Sequence, residues 1–442
     1  MERGIYLKQL TRRHFLKAAG AAVIAAACGV YEFIPGTKSL VGQAVKTTKA
    51  TAAHYNLTSA VDAANIRQII TADSSTSRTI MWQSAYAEKG AAVEYRAAGA
   101  EDTLTIPAAD TELNDDGTMT YIYSAAITGL TPGGSYEYRV GYTDRRSEWF
   151  PLKTAAGSTF KALIFPDSQS ADYGVWKNTA MPAWERNKDA QFFINIGDLV
   201  DNGEDHTQWD AWLSAVAPMI ERIPFAPVMG NHETYDRNWQ VRLPEAYLQE
   251  FAVPDNGSEA FSRYYYSFDY GSCHFAVLNT QMDEVADFKQ GLLEEQLAWL
   301  PKDMEKSRKQ WKIALLHKDV LQYRIHDRPE RTEGFSYFGE VFMPAFDALG
   351  IDLVLTAHLH TYRNRGHIEA FRRSPKGPVY ILTGVAGDVR YPNLWVDHVL
   401  DEAVAPQPET DNYLVLEAKD AQLVVECFLP DGTRIDRVEM VK

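Results

Sequence analysis

Cysteine is scarce in this chain of 442 residues, and positive charge is in deficit. The three cysteines, Cys28, Cys273 and Cys427, are too few to form a disulfide framework. Lys and Arg number 44 against 59 Asp and Glu, which gives a formal net charge of −15 at pH 7. Tight binding to nucleic acid or anionic lipid needs concentrated Lys and Arg, so the composition argues against both partners. A small anionic substrate would need positive charge from another source, such as bound metal ions.

Residues 1–34 have the composition of a targeting segment. Arg12 and Arg13 precede an apolar, alanine-rich run that begins at Ala18. The pattern resembles a twin-arginine export signal; the alternative is a chance arginine pair in front of a membrane anchor. We therefore expect an exported protein that is extracellular, periplasmic or attached to the cell envelope. Signal cleavage before Cys28 and a lipid anchor at Cys28 are both consistent with the sequence.

The chain is longer than one hydrophobic core usually supports, so two folded units are expected. Residues 35–58 are rich in Thr, Ala, Lys and Gly without periodicity, which is typical of a linker. Residues 59–156 contain short alternating β-rich runs separated by turns such as Asp115-Asp116-Gly117, which predicts a β-sandwich. From 160 to 442, apolar strands alternate with helical stretches, which predicts an α/β domain of two packed β-sheets flanked by helices. We assign to its second sheet layer the β-rich segments 378–384, 412–418 and 422–428.

Five predicted strands of the α/β domain end at polar residues that can bind metal ions. These strands are at 162–165, 192–196, 227–229, 313–316 and 353–355. In open α/β sheets, sites form beyond the carboxyl ends of strands, so the residues at these ends should converge. The candidate metal ligands are Asp167, Gln169, Asp198, Asn231, His317, His358 and His360. Carboxylate, amide and imidazole groups together suit Zn, Mn or Fe and not calcium.

Asp198 is the candidate bridge between two ions. A single bridging carboxylate would hold them about 3.5 to 4 Å apart, the spacing that two-metal hydrolysis requires. His358 and His360 are two residues apart, so in a turn they can straddle both ions. The sequence therefore predicts a dinuclear metal centre.

The candidate ligands, in their order along the chain, resemble those of the calcineurin-like metallophosphoesterases and, within them, of the purple acid phosphatase branch. The resemblance extends over residues 60–440 and includes Gly230-Asn231-His232-Glu233 and the aromatic stretch 265–271. The corner at Thr128-Gly129-Leu130-Thr131-Pro132 is similar to that of fibronectin type III-like modules. The predicted sandwich is similar to the amino-terminal domain of the purple acid phosphatases. The resemblance implies a hydrolase of phosphate esters.

The family pattern also implies a role for each residue of the centre. One ion would be held by Asp167, Asp198 and His360, and the other by Asp198, Asn231, His317 and His358. His232 would stay uncoordinated and donate a proton to the leaving oxygen, since an imidazole titrates near neutral pH. A metal-bound hydroxide would attack phosphorus as the nucleophile.

Two positions depart from the family pattern. Gln169 stands where many metallophosphoesterases have histidine, and it is either a weak ligand or a hydrogen-bond partner of the ligands. Asp201 stands where the purple branch has a tyrosine ligand, and it is expected to form a turn or to support the ligands. His274 lies within an apolar strand pattern and is expected to be a structural histidine.

The sequence therefore predicts an exported metallophosphoesterase that hydrolyses small phosphate monoesters with two metal ions, Fe, Mn or Zn. Two alternatives remain open. A phosphodiesterase or nucleotidase would use the same metals. It would differ in how its pocket accommodates a second ester group on the phosphate. A cell-surface binding protein would carry its function on the sandwich and keep an inert metal domain. The intact set of ligand residues argues against the inert domain.

Overall fold

The computed structural model describes residues 63–171, 173–406 and 410–442. The predicted export signal, including Cys28, and the predicted linker lie outside the described residues. Within the described ranges, no helix combines the length and the apolar character needed to cross a membrane.

Strands fill the first part of the described chain, and strands alternate with helices in the rest. The strands of the first part are β1 (Ala64–Ile69), β2 (Arg78–Ser84), β3 (Ala92–Ala97), β4 (Leu104–Pro107), β5 (Ala109–Asp115), β6 (Thr118–Ile127), β7 (Ser135–Gly141) and β8 (Phe150–Lys153). Those of the second part are β9 (Phe160–Phe165), β10 (Phe192–Asn195), β11 (Phe225–Pro227), β12 (Tyr266–Tyr270), β13 (Cys273–Val277), β14 (Trp311–Leu315), β15 (Leu321–Gln322), β16 (Gly334–Phe335), β17 (Leu353–Thr356), β18 (Tyr362–Glu369), β19 (Arg372–Arg373), β20 (Val379–Thr383), β21 (Ala403–Val404), β22 (Tyr413–Lys419), β23 (Gln422–Phe428) and β24 (Arg434–Val441). The helices are α1 (Gly174–Arg186), α2 (His206–Ala215), α3 (Ala217–Ile220), α4 (Glu245–Glu250), α5 (Met282–Val285), α6 (Leu292–Lys306) and α7 (Tyr337–Leu349). The predicted fold class, an all-β sandwich followed by an α/β part with two sheets, is confirmed.

The largest sheet joins the two parts of the chain. Its ten strands run in the order β24-β23-β22-β9-β10-β11-β1-β2-β6-β5. The strands β9, β10, β11 and β1 are parallel, with Phe225 opposite both Phe193 and Ile69. A four-stranded sheet, β4-β3-β7-β8, forms the other layer of the sandwich. The sandwich and the α/β part therefore share one continuous hydrogen-bonded sheet.

A second large sheet packs against the α/β half of the first. Its order is β12-β13-β14-β17-β20-β18-β19, with β21 paired to β18, and β13, β14, β17 and β20 are parallel. Aromatic rings fill the space between the sheets. The ring centroid of Phe192 on β10 lies 4.4 Å from that of Tyr270 on β12 and 5.7 Å from that of Phe275 on β13. Burial of each such ring stabilises the fold by about 1.5 to 3 kcal/mol.

The strands β9 and β10 are apolar on both faces because both faces are covered. Ala162 to Phe165 and Phe192 to Ile194 are completely buried. One face meets the second sheet, and the other meets α1, whose Trp176 ring packs edge to face on Phe165 at 5.0 Å between centroids. Parallel strands that are buried in this way appear in a sequence as continuous apolar runs.

Two details differ from the sequence prediction. The third strand of the α/β part is Phe225–Pro227 and not 227–229, because its pairing with the neighbouring strands already begins at Phe225, opposite Phe193 and Ile69. Of the C-terminal segments, only β20 joins the second sheet, whereas β22 and β23 extend the first sheet. Antiparallel pairing of β22 with β9 covers an edge that would otherwise be open.

His274 is a structural histidine, as its place in an apolar strand predicted. It is buried on β13, where Nδ1 lies 2.7 Å from Asp269 Oδ1 and Nε2 lies 2.8 Å from Asp303 Oδ2. Although burial disfavours the charged form, these two carboxylates raise the pKa of His274 to about 9. The resulting imidazolium ties β13 to β12 and to α6.

These ion pairs should make stability depend on pH. Because the folded-state pKa of His274 lies above the ordinary value of 6.5, the stabilisation is complete below about pH 6.5 and is lost as the pH rises through about 9. It is on the order of 3 kcal/mol. We expect His274→Gln to lower the melting temperature strongly near pH 6 and only weakly near pH 10, in thermal unfolding with paired buffers. A difference in melting temperature that stays constant with pH would contradict the charged imidazolium.

Candidate metal centre

The predicted ligands lie beyond the ends of five strands, at one edge of the two packed sheets. In the first sheet, the residues that follow β9, β10 and β11 are Asp167, Asp198 and Asn231. In the second sheet, the residues that follow β14 and β17 are His317, His358 and His360. Their side chains meet in the two overlapping clusters described next.

Asp167, Asp198 and His360 form the first cluster. All three are buried, and one ligand atom of each lies within 4.8 Å of the others. His360 Nε2 lies 3.1 Å from Asp167 Oδ2, and neither atom makes a hydrogen bond within the described residues. Two buried polar atoms that face each other without hydrogen bonds are suited to share a cation.

Asp198, His317 and His358 form the second cluster, again with ligand atoms within 4.8 Å. His317 Nε2 lies 3.2 Å from Asp198 Oδ2 and 3.2 Å from Asn231 Oδ1. The rings of His317 and His358 meet edge to face, with centroids 5.1 Å apart. Asp198 belongs to both clusters, which is the arrangement of a carboxylate that can bridge two ions.

Three imidazoles of the site are oriented in the same way. Backbone carbonyls accept hydrogen bonds from Nδ1 of His317, His360 and His232 at 2.8, 2.8 and 2.7 Å. The accepting residues are, in that order, Ile196, Val389 and Asp201. A carbonyl at Nδ1 fixes the tautomer and leaves Nε2 as the reactive atom.

His232 lies beside the clusters and belongs to neither. Its Nε2 is 3.8 Å from Asp198 Oδ2, and the residue is 1% exposed. The rings of Tyr235 and Trp239 meet its imidazole edge to face, with centroids 5.5 and 5.6 Å away. Trp239 has a φ of 62°, which is rare for so bulky a residue. An imidazole in this position is suited to acid–base chemistry next to the ions.

The backbone is strained where the clusters form. Asp198, His358 and His360 have φ values of 50°, 77° and 55°, in the left-handed region that residues other than glycine seldom adopt. Such conformations cost on the order of 1 to 3 kcal/mol each and concentrate at functional sites. Gly197 has a φ of 89°, and a Cβ atom there would lie 2.6 Å from His317 Nδ1. The glycine therefore allows the loop after β10 to approach His317.

The charges of Asp198 and the surrounding imidazoles stabilise one another. Although burial opposes ionisation, His232, His317 and His358 hold the pKa of Asp198 well below its usual range. Burial likewise lowers the pKa of His317, but the Asp198 carboxylate outweighs it and raises that pKa to about 9. A metal ion bound at Nε2 would take the place of this proton.

Glu233 organises the site, and the sequence reasoning assigned it no role. Its buried carboxylate accepts hydrogen bonds from the N–H groups of Asp198, Leu199 and Gly230 at 3.0, 2.8 and 2.6 Å. Burial and the Asp198 charge raise the pKa of Glu233, and the Gly230 N–H opposes that shift. The three hydrogen bonds hold the loop after β10 against the loop after β11. In the sequence, the only indication of this role is that Glu233 ends the motif Gly230-Asn231-His232-Glu233.

The two positions that depart from the family pattern both lie at the centre. Gln169 is completely buried, and its backbone N–H donates a hydrogen bond to the Asp198 backbone carbonyl at 2.9 Å. The Asp201 carbonyl accepts from His232 Nδ1, and Asp201 Oδ1 lies 3.4 Å from the same nitrogen. These contacts join Asp201 to His232, and the expectation that Asp201 forms a turn or supports the metal ligands stays a prediction.

Two packed sheets carry, at their edge, buried Asp and His clusters that share one carboxylate, an arrangement that can hold two metal ions. Residues 169–362 match the calcineurin-like phosphoesterase family, and residues 63–154 match the purple acid phosphatase N-terminal domain. The chain therefore carries a calcineurin-like metallophosphoesterase domain and the N-terminal domain of purple acid phosphatases, as its resemblance predicted. The cofactors of this class are two metal ions among Fe, Mn and Zn, and the two clusters provide for two ions.

Several curated proteins and solved structures are similar to the chain. It is 26% identical to purple acid phosphatase 15 of Arabidopsis thaliana, over 67% of this chain and 59% of that protein. It is 26% identical to acid phosphatase type 7 of Mus musculus, over 60% of this chain and 64% of that protein. The chain thus spans less than two thirds of the length of either relative. The purple acid phosphatase PPD1 from yellow lupin seeds shares its fold, with a TM-score of 0.73 and 17% identity over 86% of this chain and 74% of that chain.

Proposed function

We propose that this chain hydrolyses small phosphate monoesters at a dinuclear metal centre. The observation that carries the proposal is the pair of buried Asp and His clusters that share Asp198. Two adjacent cations concentrate positive charge within a chain whose net charge is −15. A phosphate ester needs such charge, both to bind and to stabilise the negative charge that develops on its oxygens.

In this proposal each cluster holds one ion. The ligands of the first ion are Asp167, Asp198 and His360, and those of the second are Asp198, Asn231, His317 and His358. The carbonyl-held Nδ1 atoms of His317 and His360 support this assignment, because they leave Nε2 for a metal. Gln169, beside Asp198, is a weak ligand of the first ion or a hydrogen-bond partner of its ligands.

His232 supplies the proton in the proposed reaction. Bound ions would supply Lewis acidity and a water acidic enough to become the nucleophile. The hydrogen bond from His232 Nδ1 to the Asp201 carbonyl leaves Nε2 to protonate the leaving oxygen of the ester. Tyr235 and Trp239 flank the imidazole, which limits its movement and keeps bulk water away.

A comparison of two substrates tests the proposal. We expect an aryl phosphate monoester to be hydrolysed at least about 10-fold faster than the corresponding diester, which is about 1.4 kcal/mol in the barrier. A monoester dianion carries more charge towards the two cations than a diester monoanion does. The measurement is kcat/KM for both substrates on one preparation.

Each alternative function predicts a different outcome of that comparison. A preference for the diester would assign the protein to the phosphodiesterases or nucleotidases. Hydrolysis of neither substrate, with both ions bound, would favour a binding protein with an inert metal domain.

A further inference from the structure

The turn between β5 and β6 of the sandwich contacts two segments of the α/β part, at His206 and at Arg242. Asp116 and Gly117 have φ values of 47° and 85°, the conformation of a tight two-residue hairpin turn. The Asp116-Gly117 pair accounts for the conformation of the turn. The neighbouring carboxylate, Asp115, is not needed for that conformation. Both carboxylates contact the α/β part.

Asp116 binds the first residue of α2. Its two oxygens lie 2.8 and 2.7 Å from His206 Nδ1, and it accepts a hydrogen bond from the His206 N–H at 3.2 Å. Burial opposes the charged form of His206, but Asp116 outweighs it and raises the pKa of the imidazole. The contact is therefore an ion pair that holds the start of α2 against the sandwich.

The start of α2 in turn holds the carbonyl that orients His232. Gln208, two residues after His206, accepts hydrogen bonds from the N–H groups of Asp201 and Asn202 at 2.8 and 2.9 Å. The Asp201 carbonyl accepts the hydrogen bond from His232 Nδ1. The turn is thus linked to the proposed proton donor by polar contacts at both ends and, between His206 and Gln208, by the backbone at the start of α2.

Asp115 binds a second segment that is linked to His232. Its Oδ2 lies 2.7 Å from Arg242 Nη1, and the Arg242 N–H donates to the Thr234 carbonyl at 2.8 Å. The loop between Thr234 and Arg242 carries Tyr235 and Trp239, whose rings flank the imidazole. The turn therefore supports two of the segments that contact the proposed proton donor.

The charges around the turn are balanced by protein groups. Asp116, Asp205 and His206 bring ligand atoms within 4.8 Å of one another, a spacing that a metal ion could use. The Arg237 guanidinium, however, lies 4.0 Å from Asp116 and 3.9 Å from Asp205. With Arg237 and His206 supplying positive charge, the cluster is an ion-pair network between the two parts of the chain.

We propose that Asp115 and Asp116 are positioning residues for His232, through which the sandwich takes part in catalysis. The proposal rests on the function proposed above. A displaced imidazole would still bind no metal, so both ions should remain, but proton delivery to the leaving oxygen should suffer. The loss should be largest for alkyl phosphates, whose alkoxide leaving groups depend on a proton, and smallest for nitrophenyl phosphates.

Asp116→Gly is the sharpest variant, because glycine accepts the left-handed conformation of this position without strain. Asp116→Asn is the rescue variant, since asparagine keeps an acceptor for His206 and tolerates the same conformation. Tyr138→Phe is the matched control. It removes another hydrogen bond between the two parts, from the Tyr138 hydroxyl to the Glu221 carbonyl at 2.9 Å, far along the chain from the residues that hold His232.

The experiment measures kcat, KM and metal content for these variants with an alkyl phosphate and a nitrophenyl phosphate. We expect Asp116→Gly to lose roughly 10-fold in kcat on the alkyl phosphate and much less on the nitrophenyl phosphate, with KM and both metals unchanged. Asp116→Asn should recover most of the loss, and Tyr138→Phe should match the native chain. An equal loss on both substrates, or no loss, would overturn the proposal. Failure of the proposed function would look different, because the native chain itself would then hydrolyse neither substrate.

Discussion

Replacing Asp198 by asparagine is expected to abolish metal binding and phosphate-ester hydrolysis together. Asp198 belongs to both clusters, so its loss removes a ligand from each proposed ion. It also removes the buried anion that the imidazoles of His232, His317 and His358 surround. An amide carries no charge and is a poor bridge between two cations.

The expected size of the Asp198→Asn effect is large. Loss of an outer-shell partner alone typically weakens metal binding by about 10- to 100-fold, and a bridging ligand should matter more. Elemental analysis of the purified variant gives the metal content, and an aryl phosphate assay gives the activity. The matched control is Asp201→Asn, which removes a nearby carboxylate but keeps the backbone carbonyl that orients His232. Asp201→Asn should retain both ions, and a metal-free Asp201→Asn protein would mean that Asp201 is itself a ligand.

Replacing His232 by alanine is expected to keep both ions and to slow turnover by roughly 10²- to 10⁴-fold, the usual contribution of a general acid. Metal binding and turnover should respond differently because His232 Nε2 lies 3.8 Å from Asp198 Oδ2 and outside both clusters. The loss should be greatest for alkyl phosphates, as for any step in which a proton must reach the leaving oxygen. Metal content and kcat are measured on the same preparation.

His326→Ala is a suitable control for that variant, because His326 is an exposed histidine on a surface loop. It should behave as the native chain does in both measurements. If the His232→Ala protein lost its metals, His232 would be a metal ligand, and another residue would have to be the proton donor.

The sequence predicted the convergence of the candidate ligands better than the surrounding topology, because that convergence follows a simple rule. Parallel strands such as β9, β10 and β11 are buried on both faces, so their apolar runs are easy to recognise. Polar residues just after such runs, as at Asp167 and Asp198, converge at one sheet edge wherever the strands lie in order. Five separate positions along the chain could therefore be joined into one centre.

Other features depend on contacts between distant segments, which a local pattern does not specify. The pairing of β22 with β9 is an example, since an alternating strand pattern is the same at either edge of a sheet. The role of Asp201 depends on its carbonyl, and every residue type has a carbonyl. The strained φ values of His358 and His360 likewise arise from tertiary packing and not from their side chains.

In the proposed mechanism, Asp198 would bridge two ions while a separate imidazole, His232, supplies the proton. Metal content and turnover, measured side by side for the native chain, Asp198→Asn and His232→Ala, distinguish these two roles. We expect two ions per native chain, loss of both properties in Asp198→Asn, and loss of turnover alone in His232→Ala. A fully active Asp198→Asn protein, or one that retains both ions, would rule out the bridging role.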